Sequence, residues 1–315
     1  MKKIVFIFGG QGSQYYNMAR ELYRSDDFFR NCIEEMDLKY KQIADYGVVE
    51  EIFREEKRVG EELKELKFSH PSIFMIEYAL SETLKKEGIF PNEVIGVSLG
   101  EYTASVLAGC FNYVTALECI AKQVELLLSI RTRGCMITIL GDPDLYYTLD
   151  ILNQHSTLVA VNYNKHFVVS CSVESVELIK KMLLEKKVAF LKLPVNYGFH
   201  SSLIDEIEIP YKEYLSTYNF LQPCVPLILS SRKREVGTLS ADYLWDSISK
   251  PMYFREALLS IKEKECIYID LTPGSTMKNI GVKILNDDAR DKIQGVITPF
   301  GKELSNIQII KRIVT

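Results

Sequence analysis

Three observations predict an α/β fold of the α/β-hydrolase type, with a mostly parallel sheet and a smaller inserted subdomain. Short apolar runs alternate with amphipathic helical patterns, which favours parallel strands covered on both faces. A Gly-x-Ser-x-Gly segment at residues 96–100 stands between a strand pattern and a helix pattern. Residues 134–195 change this rhythm to a βαββαβ order, which is typical of a ferredoxin-like subdomain.

The chain is therefore divided into a discontinuous large domain and an insertion. Residues 1–133 and 196–315 are predicted to form the large α/β domain, which carries the Gly-x-Ser-x-Gly segment. Residues 134–195 are predicted to form the ferredoxin-like subdomain. A cleft between two such bodies is a usual place for a ligand, so we expect the functional site there.

The elements of the large domain follow from apolar periodicity and from turn residues. A buried strand at residues 3–8 ends in a turn that contains Gly9, Gly10 and Gly12. Ser69 is expected to cap a helix that starts at Pro71, with His70 as the neighbour of that cap. The patterns of this half predict helices at residues 15–24, 27–36, 71–87, 101–108 and 114–130, and a strand at residues 94–97.

The inserted subdomain shows its own alternation. Its strands are predicted at residues 135–140, 158–162, 166–171 and 188–193, and its helices at residues 142–152 and 173–185. Two of the four histidines, His155 and His166, are expected in solvated loops of this subdomain.

Composition excludes several classes of function. Charged residues make up 25% of the chain and the net charge is −4, which is a poor basis for nucleic-acid binding. No apolar stretch has the length of a membrane span, and the apolar run at residues 4–8 is too short for a signal peptide. The seven cysteines show no Cys-x-x-Cys spacing and no histidine at metal-ligand spacing, which argues against a zinc site. Their odd number and the lack of a signal-peptide pattern predict a reducing, cytoplasmic location.

Ser98 is the candidate nucleophile. A sharp turn from strand into helix would expose its hydroxyl at the apex, and the Leu99 N–H at the start of the helix can donate to an oxyanion. His200 is the candidate base, because it lies where the chain returns from the insertion beside the cleft. No acid stands out as a third member, since Asp205 is expected to start or cap the next helix. The pattern therefore favours a Ser–His dyad, and the simple alternative is a tight turn with a structural histidine.

Five segments resemble the malonyl-CoA:acyl-carrier-protein transacylases, a family that includes the acyltransferase domains of polyketide synthases. Phe-Gly-Gly-Gln-Gly-Ser-Gln at residues 8–14 is similar to the family's opening, and Gly-Val-Ser-Leu-Gly-Glu at residues 96–101 to its nucleophile segment. The other three similar segments are residues 161–164, 197–201 and 271–274. The resemblance covers nearly the whole chain in order, including the insertion.

The resemblance implies roles for particular residues. Ser98 would carry the acyl group and His200 would be its base. The backbone N–H groups of Gln11 and Leu99 would form the oxyanion hole, and the carbonyl of Lys250, before Pro251, would orient the base. Asn162, at the end of a strand, would lie near the substrate. The acyl group would be carried on phosphopantetheine or coenzyme A, the partner would be an acyl carrier protein, and neither a resident cofactor nor a metal is expected.

Three residues that would lie near the acyl group bear on its identity. Counting 25 positions from Ser98 reaches Gln123, where the family has an arginine that pairs with the malonyl carboxylate. Val97 also replaces a polar residue, the family's histidine before the nucleophile, so both departures indicate a less polar acyl pocket. Phe199 is instead usual in malonyl-selective members and indicates a compact pocket.

Residues 68–78 and 197–205 resemble the discrete, trans-acting acyltransferase-like proteins of bacterial polyketide clusters, which include acyl hydrolases. The leading hypothesis is therefore an editing hydrolase that removes acyl groups from carrier-protein thioesters through an acyl-Ser98 intermediate. One alternative is a malonyl-CoA:acyl-carrier-protein transacylase that loads extender units in trans. A second alternative is a non-catalytic protein that docks on the carrier. The sequence leaves open whether water or a thiol is the second acceptor, which acyl chain and carrier are used, and the oligomeric state.

Overall fold

The computed structural model describes residues 2–261, 265–285 and 287–314. The strands in these ranges are β1 (Lys3–Phe8), β2 (Glu93–Gly96), β3 (Gly134–Leu140), β4 (Thr157–Tyr163), β5 (His166–Ser172), β6 (Ala189–Lys192), β7 (Leu227–Leu229), β8 (Arg234–Val236), β9 (Cys266–Asp270) and β10 (Ile293–Gly295). The helices are α1 (Arg20–Ser25), α2 (Asp27–Ala44), α3 (Val49–Ile52), α4 (Leu66–Lys86), α5 (Gly100–Leu107), α6 (Tyr113–Ser129), α7 (Leu145–Thr148), α8 (Asp150–His155), α9 (Val176–Glu185), α10 (Glu208–Leu215), α11 (Ala241–Ser249), α12 (Phe254–Leu259), α13 (Thr276–Ile284) and α14 (Glu303–Val314). None of the helices in these ranges combines the length and the apolar character that crossing a bilayer requires.

The large sheet has six strands in the order β10-β9-β1-β2-β7-β8. All neighbours in it are parallel except β8, which runs antiparallel to β7 at one edge. The α/β class predicted from the alternating patterns is thus confirmed. Phe8 pairs with Gly96, so the carboxyl ends of β1 and β2 lie side by side at the middle of the sheet. This is the edge at which parallel α/β sheets bind their ligands.

The small sheet has four antiparallel strands in the order β4-β5-β3-β6. Along the chain, α7 and α8 lie between β3 and β4, and α9 lies between β5 and β6. The subdomain therefore has the predicted βαββαβ connectivity. Alternate residues of β3 divide between its faces, as the pleat of a strand requires. Ile137 and Ile139 pack into the core beneath the helices, whereas Met136 and Thr138 line a cleft toward the large sheet.

The first predicted helix is shorter than its pattern indicates. Residues 15–24 were expected to be helical, but α1 starts only at Arg20. Asn17 and Ala19 have φ angles of 62° and 58°, which an α-helix cannot include. The Asn17 side chain donates instead to the carbonyls of Arg54 and Lys57, which anchors the segment before α1.

Helix α4 begins at Leu66, so the prediction that it starts at Pro71 with Ser69 as cap is wrong. Pro71 lies inside the helix and cannot donate to the carbonyl of Lys67. A proline inside a helix costs about 3 kcal/mol, yet fifteen of the residues of α4 are buried. Burial of one long helix against α2, α5 and α6 therefore outweighs the local preference.

Two glycines allow β2 to turn directly into α5. A Cβ on Gly96 would lie 2.5 Å from the Cα of Glu101. A Cβ on Gly100 would lie 2.4 Å from the carbonyl carbon of Phe8. The obstructing atoms are backbone, so the first turn of α5 rests against the end of β1 with no space for a side chain.

Replacing Gly100 with alanine is expected to destabilise the protein by about 3 kcal/mol, despite the higher helix propensity of alanine, because the backbone of β1 must move. Gly237 is a matched control, since nothing lies within 4 Å of a Cβ built there. Gly237→Ala is expected to change stability by less than about 0.5 kcal/mol. Urea denaturation of both variants measures the difference, and equal stabilities would show that the close approach is not a constraint.

Candidate active site

Ser98 lies at the turn between β2 and α5. Its φ angle is 56°, in the left-handed region that residues with a Cβ rarely adopt. Such strain is typical of a nucleophile elbow, in which the turn exposes the serine hydroxyl above the sheet. Ser98 lines the cleft between the two sheets, at the ends of β1 and β2.

His200 meets Ser98 from the chain that returns from the small sheet. Its Nε2 lies 2.9 Å from the Ser98 Oγ, so the contact predicted between these residues is present. Its Nδ1 lies 2.8 Å from the carbonyl oxygen of Lys250. A carbonyl can only accept, so Nδ1 carries the proton and Nε2 is left to accept from the serine hydroxyl.

The Lys250 carbonyl is available because α11 ends just before it. Pro251 favours an extended conformation at the preceding residue, and Lys250 has φ −95° and ψ 154°. Asp205 is exposed on a short 3-10 helix at Ser202–Ile207. Within the described ranges no carboxylate contacts His200, so the geometry is that of a dyad oriented by a backbone carbonyl.

Burial sets the protonation state of His200. The residue is 2% exposed, and desolvation lowers its pKa from 6.5 to about 4, although the Lys250 carbonyl acts in the opposite direction. The imidazole is therefore neutral near pH 7, which is the form that can accept the proton of Ser98.

Two backbone N–H groups lie next to Ser98. One is that of Leu99, at the N-terminus of α5, and the other is that of Gln11, in the turn after β1. A Cβ on Gly10 would lie 3.0 Å from the Leu99 nitrogen and 3.2 Å from the Ser98 Oγ, so this turn passes directly over the serine. Neither N–H donates to another group in the ranges that the structure describes. Both N–H groups are therefore available to donate to the anionic oxygen of a tetrahedral intermediate on Ser98.

A buried carboxyl group joins the two segments that supply these amides. Glu77 on α4 accepts from the N–H of Gly9 at 2.8 Å and from the hydroxyl of Thr103 on α5 at 2.8 Å. It is 0% exposed, and desolvation raises its pKa well above 4.5. The sequence analysis missed this residue, because nothing local marks a helix glutamate as buried.

The cleft between the sheets has a volume of about 200 Å³ and a mainly apolar wall. Its apolar lining comprises Val97, Met136, Val168, Leu193, Phe199, Met252, Phe254, Met277 and Ile280. Its polar lining, apart from the dyad and residues 10–13, comprises Thr138, Asn162, His166, Thr272 and Thr276. No lysine, arginine, aspartate or glutamate of the described ranges is part of this lining. Val97, Phe199 and Asn162 thus lie where the sequence analysis expected substrate contacts.

Gln123, which the sequence analysis expected beside the acyl group, is not among the residues that line the cleft. It is 0% exposed on α6, and its Nε2 lies 3.3 Å from the hydroxyl of Tyr102 and 3.2 Å from that of Tyr211. The carboxamide is directed toward hydroxyl groups in the interior, because buried polar groups need partners there.

Two histidines lie closer to the site than the sequence analysis expected. His166 was assigned to a solvated loop, but it begins β5 and lies with Nε2 2.6 Å from the Thr138 Oγ1 and Nδ1 3.0 Å from the Asn162 Nδ2. The period of two along β5 places it on the cleft face with Val168, a signal that the pattern contained. His70 was taken as the neighbour of a cap, but it is 1% exposed on α4 and stacks on Phe199.

No group of three or more His, Cys, Asp or Glu in the described ranges has the arrangement of a metal site. The reactive groups that the structure brings together are the Ser98–His200 dyad and the two backbone amides. A hydroxyl, a neutral imidazole and paired N–H donors are the parts that acyl transfer through a serine ester requires.

Comparison with known proteins agrees with this chemistry. The family model for the acyl transferase domain matches residues 5–310. The chain is 39% identical to the polyketide biosynthesis acyltransferase homolog BaeD of Bacillus velezensis, over 98% of this chain and 95% of that protein. It is 37% identical to the homolog PksD of Bacillus subtilis, with the same coverage of 98% and 95%.

Solved structures share the fold. A loading acyltransferase from the avermectin modular polyketide synthase superposes with a TM-score of 0.88 at 22% identity, over 99% of each chain. The MCAT of Streptococcus pneumoniae superposes with a TM-score of 0.78 at 22% identity, over 98% of this chain and 99% of that one. The large α/β domain with its inserted βαββαβ sheet is therefore the architecture of these acyltransferases. Together with the match over almost its entire length, this means that the chain belongs to the acyl transferase domain family.

Proposed function

We propose that this protein is an editing acyl hydrolase that removes uncharged acyl groups from acyl carrier proteins of a polyketide pathway. The pathway follows from the two Bacillus relatives, which are named as polyketide biosynthesis acyltransferase homologs. The observation that carries the choice of substrate is the lining of the cleft, in which no described residue is a lysine or arginine. The acyl group would arrive as a thioester on the carrier's phosphopantetheine, and the dyad needs no resident cofactor.

The first half of the reaction forms an ester on Ser98. Nε2 of His200 takes the hydroxyl proton while Oγ attacks the thioester carbon, and the carbonyl oxygen becomes an oxyanion at the N–H groups of Gln11 and Leu99. The carbon–sulfur bond then breaks, and the imidazolium returns the proton to the departing phosphopantetheine thiolate. The Lys250 carbonyl stabilises the imidazolium through Nδ1–H, in the place that an aspartate has in a triad.

The second half consumes water. His200 takes a proton from a water molecule as its oxygen attacks the acyl-serine ester, and the same two N–H groups hold the second oxyanion. The ester bond breaks, Ser98 regains its proton from His200, and the acyl group leaves as a carboxylic acid. Loss of one oxyanion donor typically lowers the rate by about 10²–10³, so the positions of both amides matter to each half.

Charge argues against malonyl as the preferred acyl group. A malonyl carboxylate in this cleft would have no cation to pair with among the described lining residues. Leaving one partner of a buried ion pair alone costs about 3–5 kcal/mol, which corresponds to roughly 10²–10³ in preference. Acetyl and other uncharged groups carry no such penalty.

Two other functions remain as alternatives. A malonyl-CoA:acyl-carrier-protein transacylase is favoured by Phe199, which is 2% exposed and narrows the cleft beside His200. A non-catalytic carrier-docking protein is disfavoured by the intact contact between Ser98 and His200. All three functions would have the carrier as partner, and the hydrolase and the transacylase would share the acyl-Ser98 intermediate.

The first test follows the mass of a carrier protein. Incubation with acetyl-loaded carrier is expected to yield the bare thiol, and the Ser98→Ala variant is expected to leave the acetyl group in place. A parallel reaction with malonyl-CoA and free carrier is expected to yield little malonyl-carrier. Growth of malonyl-carrier while acetyl-carrier stays intact would make the transacylase the correct assignment.

Gln123→Arg tests the charge argument. Gln123 lies next to His70, which in turn contacts the cleft-lining residues Gln11 and Phe199. Arginine is longer than glutamine and is expected to extend a cation past His70 toward the cleft, so the ratio of malonyl transfer to acetyl hydrolysis is expected to rise about tenfold or more. Any general loss of rate cancels in this ratio. Gln123→Met, of similar length but without charge, serves as the control and should leave the ratio unchanged. An unchanged ratio in a folded Gln123→Arg variant would contradict the charge argument.

The pKa of His200 predicts the pH dependence. The base acts when neutral, and its pKa is lowered to about 4, so acylation of Ser98 should stay constant from neutral pH down to about pH 5 and fall below it. The measurement is the rate at which a serine-directed phosphonate labels Ser98 between pH 3.5 and 8, with circular dichroism to verify folding. A midpoint near 6.5 would mean that His200 is solvated in solution.

A further inference from the structure

A line of polar side chains crosses the interior behind the cleft, from the turn after β1 to α6. Nε2 of Gln11 donates to the Ser69 hydroxyl at 2.9 Å and is also in hydrogen-bond contact with Nδ1 of His70. On the other side of His70 lies Gln123, whose side chain is near enough to affect the pKa of the imidazole but makes no hydrogen bond with it in the described ranges. Both His70 and Gln123 are almost fully buried, so their polar atoms have no access to solvent.

The hydrogen bonds at the α6 end determine how the Gln123 amide is oriented. The hydroxyl of Tyr211 donates to the carbonyl of Cys119 at 3.1 Å. The hydroxyls of Tyr102 and Tyr211 are in contact, so Tyr102 must donate to Tyr211. Both tyrosine oxygens are then left to accept, and both lie within 3.3 Å of the Gln123 Nε2. The NH₂ end of the amide therefore faces the tyrosines, and Oε1 is left without a hydrogen-bond partner in the described ranges.

The hydrogen bond from Gln11 determines which ring nitrogen of His70 carries the proton. An amide nitrogen can only donate, so Nδ1 must accept from Gln11 and the ring proton resides on Nε2. Nε2 of His70, like Oε1 of Gln123, has no hydrogen-bond partner in the ranges that the structure describes. Burial lowers the pKa of His70 to about 3, although Gln123 acts in the opposite direction, so the ring stays neutral. The one side-chain hydrogen bond that His70 makes in these ranges is therefore the one that it accepts from Gln11.

We propose that His70 is a positioning residue: it anchors the Gln11 side chain to α4 and so holds the Gln11 backbone N–H over Ser98. This inference rests on the proposed function in one respect, since it takes the Gln11 amide to be an oxyanion donor. Gln11 follows Gly10, whose Cα lies so close to the elbow that a Cβ would be 3.0 Å from the Leu99 nitrogen. At such short range a shift of about 1 Å in the turn is enough to remove a donor, with losses of up to about 10² in rate.

His70 also has a purely steric contact, from which its polar role can be separated. Its ring stacks on Phe199 with centroids 5.6 Å apart and an interplanar angle of 25°. Phenylalanine at position 70 would keep this stacking and fill the space but could not accept from Gln11. Asparagine would lose the ring but place an acceptor, Oδ1, close to where Nδ1 was. His70→Phe therefore keeps the packing and loses the acceptor, whereas His70→Asn keeps the acceptor and loses the packing.

The test compares His70→Phe and His70→Asn by the second-order rate of phosphonate labelling at Ser98, with kcat and KM for acetyl-carrier hydrolysis. If the proposal is right, His70→Phe is labelled about 10- to 100-fold more slowly, with KM nearly unchanged, and His70→Asn stays within about threefold of the unmodified protein. If His70 only fills space, the order reverses, and His70→Phe labelled within threefold would overturn the proposal. His155→Phe, at an exposed position, is the control and should not change the rate.

A second variant keeps the test decisive if His70→Phe does not fold. Gln11→Leu removes the side-chain donor and retains the backbone N–H, so it should lose the same factor as His70→Phe. The double variant should be no slower than either single one, because both remove the same hydrogen bond between Gln11 and His70. Gln11→Leu at the unmodified rate, or additive losses in the double variant, would each contradict the proposal.

The labelling readout separates this inference from the proposed function. Phosphonate attack requires Ser98 and its oxyanion donors but not a carrier, water or a particular acyl group. If acetyl-carrier is not hydrolysed yet the labelling rates follow the expected order, the editing function fails and the role of His70 stands. If Ser98 of the unmodified protein is not labelled at all, both fail.

Discussion

The close approach of two backbone segments is the constraint on which the site depends. The turn after β1 and the first turn of α5 touch without side chains between them, since Gly10 faces Ser98 and Gly100 faces the end of β1. This contact brings a strained serine close to two N–H groups, those of Gln11 and Leu99, which donate to no other group in the described ranges. The pairing of β1 with β2 fixes the relative positions of the turn after β1 and the first turn of α5. The sheet itself therefore aligns the chemical groups.

Helix α4 has a second purpose beyond filling the core. Ser69, His70 and Glu77 all project from it toward the turn after β1, and each bonds to a group in that turn. Isolated polar groups would destabilise the interior, but groups that satisfy one another make it specific. The helix that closes the core on this side is therefore also the support of the turn after β1.

The parts of the structure that could be predicted are those that depend on local sequence. Periodicity identifies β1 with its bounds, the turn at Ser98 and the βαββαβ order, because each is a property of backbone period and turn residues. His200 could be found because the chain must return from the insertion beside the cleft. The start of α4, the burial of His70 and the inward direction of Gln123 could not, since they depend on which distant groups meet in the core. Periodicity places a residue on a face but does not identify its hydrogen-bond partner.

The left-handed backbone at Ser98 and His200 has a consequence for the stability of the fold. Each such residue with a Cβ costs about 1–2 kcal/mol, and domains are stable by only about 5–15 kcal/mol. A chain released from selection for chemistry would gain stability by drifting to glycine at either position, since glycine adopts a positive φ freely. The two angles of 56° and 62° instead belong to a serine and a histidine that face one another. Glycine at either position would remove the hydroxyl or the imidazole, so the backbone strain is the energetic disadvantage that comes with placing these two groups in contact.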